Sequence, residues 1–96
     1  MKAFYKVHGF VQNVGYRSFV KRLANKYRIN GFVKNISNGS VEIYAVGKEE
    51  NIKEFEKEIE IRSVYGPNVL HIEKIYGNDA DFPKFESQGD IFEIKY

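Results

Sequence analysis

The chain has 96 residues, 43% of them hydrophobic, 16% aromatic and 29% charged. That is material for one domain spanning residues 1–96, too apolar for a disordered tail. With no cysteine, disulfide frameworks, thiolate-held zinc, iron–sulfur clusters and thiol nucleophiles are excluded, and His8 and His71 cannot alone make a usual metal site. The apolar runs are short and the N-terminus carries no signal-peptide core, so a cytoplasmic protein with no cofactor and no membrane partner is expected.

Net charge is only +2, but it is unevenly spread. Residues 1–41 hold eight Lys/Arg and no acid, whereas residues 42–96 hold seven Lys/Arg and all thirteen acids. The N-terminal part therefore reads as the part that meets an anion, either a phosphate group or a nucleic-acid backbone. The alternative is that the two parts simply neutralise each other in the fold.

Ala3 to His8 alternates as a half-buried strand does, and Gly9 ends it. Phe19, Val20, Leu23, Ala24 and Tyr27 then share one helical face, which predicts a helix from about Tyr16 to Tyr27, broken at Asn30 and Gly31. A hairpin follows, Gly31 to Ile36 and Ser40 to Val46, with Asn38-Gly39 predicting a type I′ turn. Ile52, Phe55 and Ile59 mark the buried stripe of a second helix from Glu49 to about Arg62. Glu49 with Lys53 and Glu58 with Arg62 are its i, i+4 pairs, and Gly66-Pro67 is its stop. Val69 to Tyr76 is a strand, residues 77–89 a polar loop, and Ile91 to Tyr96 a last strand. This order predicts an α+β, ferredoxin-like β-α-β-β-α-β sandwich, two helices covering one face of an antiparallel sheet.

The segment from Gly9 to Arg17 joins a strand end to a helix start. Backbone N–H groups of a first helical turn lack intrahelical partners and carry partial positive charge, so a loop wrapped there is a candidate anion cradle. Arg17 would stand against the helix dipole, an arrangement that costs about 0.3–1 kcal/mol unless an anion sits between. The competing reading is a merely solvated arginine. Asn35, at the end of the next strand, is the second candidate, and against it stands the habit of asparagine near turns of bonding its own backbone. With no carboxylate in residues 1–41, a side chain acting on water there must position it rather than deprotonate it. His8 reads as a partly buried polar residue near the loop, because no acid lies nearby in sequence to orient it.

Gly9-x-Val11-Gln12-x-Val14-x-Tyr16-Arg17 resembles the first signature of the acylphosphatase family. Gly31-Phe32-Val33-Lys34-Asn35, then Gly39-x-Val41 and Gly47, resembles the second. The second helix, the Gly66-Pro67 stop and the strand Phe92 to Tyr96 are also similar, so the resemblance covers essentially the whole chain. It implies the ferredoxin-like sandwich and metal-independent hydrolysis of the carboxyl–phosphate anhydride of acyl phosphates. By the same resemblance Arg17 is the phosphate-binding catalytic arginine and Asn35 orients the attacking water. The amides of Gln12, Asn13, Val14, Gly15, Tyr16 and Arg17 are the phosphate-binding loop. The partners it implies are a small-molecule acyl phosphate and, as product or inhibitor, inorganic phosphate or another small anion. A monomer is expected, with no nucleic acid bound.

Three positions depart from the family pattern: Asn13 stands where glycine is usual, Tyr16 where phenylalanine is usual, and Asn68 where a proline is common after Gly-Pro, the last expected to matter only locally. Asparagine enters the left-handed region more readily than other non-glycine residues, which favours an intact loop. Tyr16 adds a hydroxyl that needs water or a partner. Two rival readings remain at this level. One is a catalytically silent, anion-binding or regulatory domain of the same fold. The other is an RNA-binding module that uses Phe4, Tyr5, Phe10 and Phe32 on an open sheet face.

Overall fold

A computed structural model of the chain describes residues 1–10, 15–65, 68–78, 80, 82 and 91–95. Its elements are β1 (Lys2–Phe10), α1 (Tyr16–Lys26), β2 (Asn30–Asn35), β3 (Val41–Val46), α2 (Glu49–Tyr65), β4 (Asn68–Tyr76) and β5 (Phe92–Lys95). Every predicted element is present with ends moved by a few residues, while the Gly66-Pro67 stop lies outside the described residues.

The sheet runs β4-β1-β3-β2-β5. β2 pairs antiparallel with β3 as the predicted hairpin, and β1 pairs antiparallel with both β3 and β4, in keeping with the predicted antiparallel sheet. β5 adds alongside β2 in the parallel sense, with Gly31 opposite Phe92 and Lys34 opposite Lys95, so the complete sheet is mixed. The polarity follows from where β4 stops. Running against β1, it ends beside Lys2, and β5 starts at that same end, where Gly31 N–H donates to Ile91 O. Crossing from one sheet edge to the other spans four strand spacings of about 4.8 Å each, which requires the long segment 77–91.

Alternation decides which side chains meet the helices. Ala3, Tyr5 and Val7 of β1, Val33 of β2 and Val41, Ile43 and Ala45 of β3 are buried against Val20, Leu23 and Ala24 of α1 and Ile52, Phe55 and Ile59 of α2. On the other face Phe4, Tyr44 and Phe32 form a ring row across three strands, with centroid separations of 4.6 and 4.4 Å. Lys95 Nζ lies 4.1 Å from the Phe32 ring centre. The helices are tied together at Glu58, which accepts hydrogen bonds from Lys26 Nζ at 3.2 Å and Tyr27 Oη at 2.9 Å, while its expected partner Arg62 has a side chain outside the described ones. The other expected pair, Glu49 with Lys53, forms at 3.4 Å.

Two turns differ from expectation. The β2–β3 turn is not type I′, because Asn38 keeps a negative φ and only Gly39 is left-handed, at φ 92°. Gly39 N–H donates to Ile36 O, Ile36 N–H donates to Ser40 O, and Asn38 Oδ1 accepts from the amide and hydroxyl of Ser40. That is the three-residue hairpin loop, a tight turn followed by one left-handed glycine. The first helix ends at Lys26, within one residue of the expected Tyr27, but the break falls at residues 27–29 and not at Asn30 and Gly31. Ile29 N–H reaches back to Ala24 O and Arg28 N–H to Asn25 O, a Schellman closure that puts Arg28 at φ 55° where glycine is usual. Arg28→Gly should therefore raise stability by about 0.5–1 kcal/mol, the left-handed penalty less the entropy of glycine. The check is a urea midpoint that rises at constant m.

Candidate active site

β1 and β2 both run against β3, and β5 runs with β2, so the C-terminal ends of β1, β2 and β5 share one end of the sheet. The chain leaves β1 there, and at Gly15 a φ of 69° and ψ of 23° turn it left-handed into α1. The first turn of α1 has no side-chain cap and no acidic residue, and its first backbone bond runs from Phe19 N–H to Gly15 O. Nothing in the sequence of that turn neutralises the partial positive charge of its amides. Of the expected loop, Gly15, Tyr16 and Arg17 are described, and Gln12, Asn13 and Val14 lie outside the described residues.

Arg17 points from α1 to the end of β5, where Nη1 donates to Lys95 O at 3.2 Å. One donor of the planar five-donor fork is thus fixed on backbone, which sets the plane of the guanidinium. Lys95 is opposite Lys34, and Asn35 is the next residue of β2, so the register brings Arg17 and Asn35 to one corner. Asn35 follows Val33 by two residues and shares its helix-side face, whereas Lys34 takes the open face.

The decisive feature of Asn35 is its carbonyl oxygen. Oδ1 is buried and has no hydrogen-bond partner among the described residues. An unpaired buried acceptor costs about 1–3 kcal/mol, so such a group calls for an explanation beyond folding. The local turn does not provide one: Asn38, and not Asn35, makes the side-chain-to-backbone bond of this hairpin.

Tyr16 opens α1 with its ring in the core, 3% exposed, and its centroid 5.8 Å from that of Phe19. Its hydroxyl is also buried without a partner among the described residues, and burial pushes its pKa well above the ordinary tyrosine value. The phenol stays protonated and takes no part in proton transfer near neutral pH. Tyr16→Phe should remove an unpaired polar atom while keeping the ring. The expected gain is about 1 kcal/mol, or roughly 4–8 °C in Tm. A lower Tm would mean that the hydroxyl has a partner after all.

His8 has the orienting acid that local sequence did not reveal. Glu73 lies 65 positions away but in the adjacent strand, its Oε2 2.7 Å from His8 Nε2, and the His8 ring stacks on that of His71 with centroids 5.9 Å apart. The hydrogen bond from His8 holds the Glu73 carboxyl below the usual glutamate range. This cluster shares the open face with Phe4, opposite to the face of Asn35, so His8 is not brought to the corner of Arg17. A groove lined by Met1, Lys2, Glu49, Tyr76, Gly77 and Asn78 lies at the opposite end of the sheet from that corner.

Comparison with known proteins gives a consistent answer. A family model described as acylphosphatase matches residues 3–91. An acylphosphatase of Listeria monocytogenes serotype 4b (strain F2365) is 44% identical over 70 residues, covering 73% of this chain and 75% of that protein. The crystal structure of an acylphosphatase from Bacillus subtilis superposes with a TM-score of 0.77 at 30% identity, covering 99% of this chain and 98% of the other. The chain is also 41% identical over 95 residues to a probable carbamoyltransferase HypF of Methanocaldococcus jannaschii, covering 99% of this chain but 12% of that protein.

Proposed function

The chain belongs to the acylphosphatase family, enzymes that hydrolyse acyl phosphates, and from that premise we propose that Arg17 and Asn35 carry the reaction without a metal ion. The observation that carries the assignment is the unpaired, buried Oδ1 of Asn35 at the corner to which Arg17 is anchored. In this reading Arg17 and the amides of residues 12–17 hold the phosphoryl oxygens, with the first turn of α1 adding its partial charge. Asn35 Oδ1 accepts a hydrogen bond from the attacking water and aims its lone pair at phosphorus, in line with the departing carboxylate.

Neither a guanidinium nor an amide titrates near neutral pH, and Tyr16 is pushed further out of range. The reaction tolerates this. The leaving group is a carboxylate whose conjugate acid has a pKa of about 4, so its departure requires neither a general acid nor a Lewis acid. The proton of the water passes to a phosphoryl oxygen. What remains for the protein is positioning and charge stabilisation on the transferring group.

The test is the initial rate on acetyl phosphate in excess EDTA beside a panel of alkyl and aryl phosphates. Turnover of the acyl phosphate at least about 10²-fold faster than of the esters is expected, because the ester leaving groups need protonation. Comparable rates on both classes, or a rate abolished by EDTA, would overturn the proposal. No turnover by the folded protein would favour the silent anion-binding domain. Inorganic phosphate should compete with substrate as the product that leaves the same cradle.

The RNA-binding alternative finds little support in the open face. Phe4 is 3% exposed and Tyr5 lies in the core at 1%, so neither ring offers a base a stacking surface. Lys2, Lys6, Lys34 and Lys95 share that face with Glu42, Glu73 and Glu93, so the charges nearly balance and no strong positive field results. We place the protein in the cytoplasm as a monomer; no helix among the described residues is long and apolar enough to cross a membrane.

A further inference from the structure

The excess positive charge of residues 1–41 is concentrated on α1, which carries Arg17, Lys21, Arg22 and Lys26 and no acid. Lys26 is neutralised by Glu58 from α2. Lys21 and Arg22 are exposed, and neither makes an ion pair among the described residues. Lys21 stands one helical turn beyond Arg17 and Arg22 stands four residues before Lys26, so like charges adjoin along the helix, an arrangement that opposes helix formation. α2 is built the other way, with its exposed Lys53 paired to Glu49. From β5, which packs beside α1, Glu93 lies opposite Phe32 on the other face of the sheet and leaves the α1 cations unscreened.

Distance makes these cations relevant to the phosphate site. Lys21 is about 6 Å along the axis and about 40° around it from Arg17, and Arg22 about 7.5 Å along and about 140° around, so Lys21 adjoins the site and Arg22 reaches it only through the longer-range field, which salt screens. We infer that Lys21 and Arg22 form an electrostatic extension of the phosphate site, which speeds capture of anionic substrates and favours acyl phosphates whose acyl part carries a further negative charge. The inference rests on the proposed reading of Arg17 as the phosphate-binding residue. It makes Lys21 and Arg22 specificity residues that act through the field and not through contact with the reacting atoms.

The experiment compares the parent with the Lys21→Gln/Arg22→Gln double variant on acetyl phosphate and on an acyl phosphate bearing a distal carboxylate. Ionic strength is stepped from about 0.02 M to about 0.5 M. At low ionic strength the variant should lose about tenfold in kcat/KM on the carboxylate-bearing substrate and about threefold on acetyl phosphate, with kcat held within about twofold. The losses should vanish at high salt, and Lys21→Arg/Arg22→Lys should behave as the parent. Equal losses on the two substrates, or losses that persist at high salt, would overturn the inference. If the parent hydrolyses neither substrate, the proposed function falls and equilibrium titration decides the inference. The double variant must then weaken pyrophosphate binding more than phosphate binding, and equal weakening overturns it.

Discussion

Asn35→Ala is expected to fold at least as stably as the parent and to lose about 10²–10³ in kcat on an acyl phosphate. The two halves of that result come from one atom. Oδ1 is buried and unpaired among the described residues, so deleting it removes a desolvation cost. In the proposed reaction the same oxygen is the acceptor that aims the water, so deleting it also removes the aim. A rise in Tm of a few degrees together with a collapsed rate is the signature of a polar group held at the expense of stability for chemistry. A structural asparagine would behave oppositely, losing stability and keeping its rate per folded molecule, and that outcome would sink the assignment. Arg17→Ala should cost more, about 10³ or beyond in kcat/KM, because charge on the transferring phosphoryl oxygens loses its cation. Arg17→Lys should not restore it: an ammonium cannot both keep the guanidinium's bond to Lys95 O and present a fork to two phosphoryl oxygens.

Much of this corner is readable from residue order, and the limits are physical. Helical spacing places Val20, Leu23 and Ala24 inward and leaves Arg17, Lys21 and Arg22 at least partly in solvent, because a period of 3.6 residues is a local property. The strand alternation of β1 and β3 is local in the same way. What sequence does not carry is pairing at a distance. His8 and Glu73 meet only because β4 lies beside β1 in a particular register. The parallel placement of β5 likewise depends on which edge the chain reaches after residues 77–91, although that placement is what seats Arg17 beside Asn35. The two asparagines of the hairpin are distinguished only by geometry. Asn38 satisfies the local backbone and so leaves Asn35 unclaimed. The end of α1 is legible from its spacing, but the residue that makes the break is not: Arg28 takes the left-handed position that glycine ordinarily signals.

Gly31→Ala should be the most destabilising single change among the glycines considered, at about 4 kcal/mol or more, a large part of the roughly 5–14 kcal/mol available to a domain of this size. Gly31 lies in β2 at φ 133°, a conformation closed to L side chains. A Cβ built there would sit 1.9 Å from Tyr44 O and 2.8 Å from Tyr44 C, both backbone atoms of β3 that no rotamer change can move. Relief requires β2 to part from β3, and Gly31 N–H is also the donor that starts β5 on Ile91 O. Gly39 provides the control. It too is left-handed, at φ 92°, but a Cβ there would meet nothing within 4 Å, so Gly39→Ala should cost only the backbone penalty of about 1–2 kcal/mol. Urea unfolding of both variants separates steric approach from conformational strain, and equal losses would show that the contact with Tyr44 is not what excludes a side chain at position 31. Because Asn35 ends the strand in which Gly31 lies, and Arg17 is anchored on the strand that Gly31 pairs, activity should fall in Gly31→Ala even in the fraction that remains folded. In Gly39→Ala the rate per folded molecule should stay that of the parent.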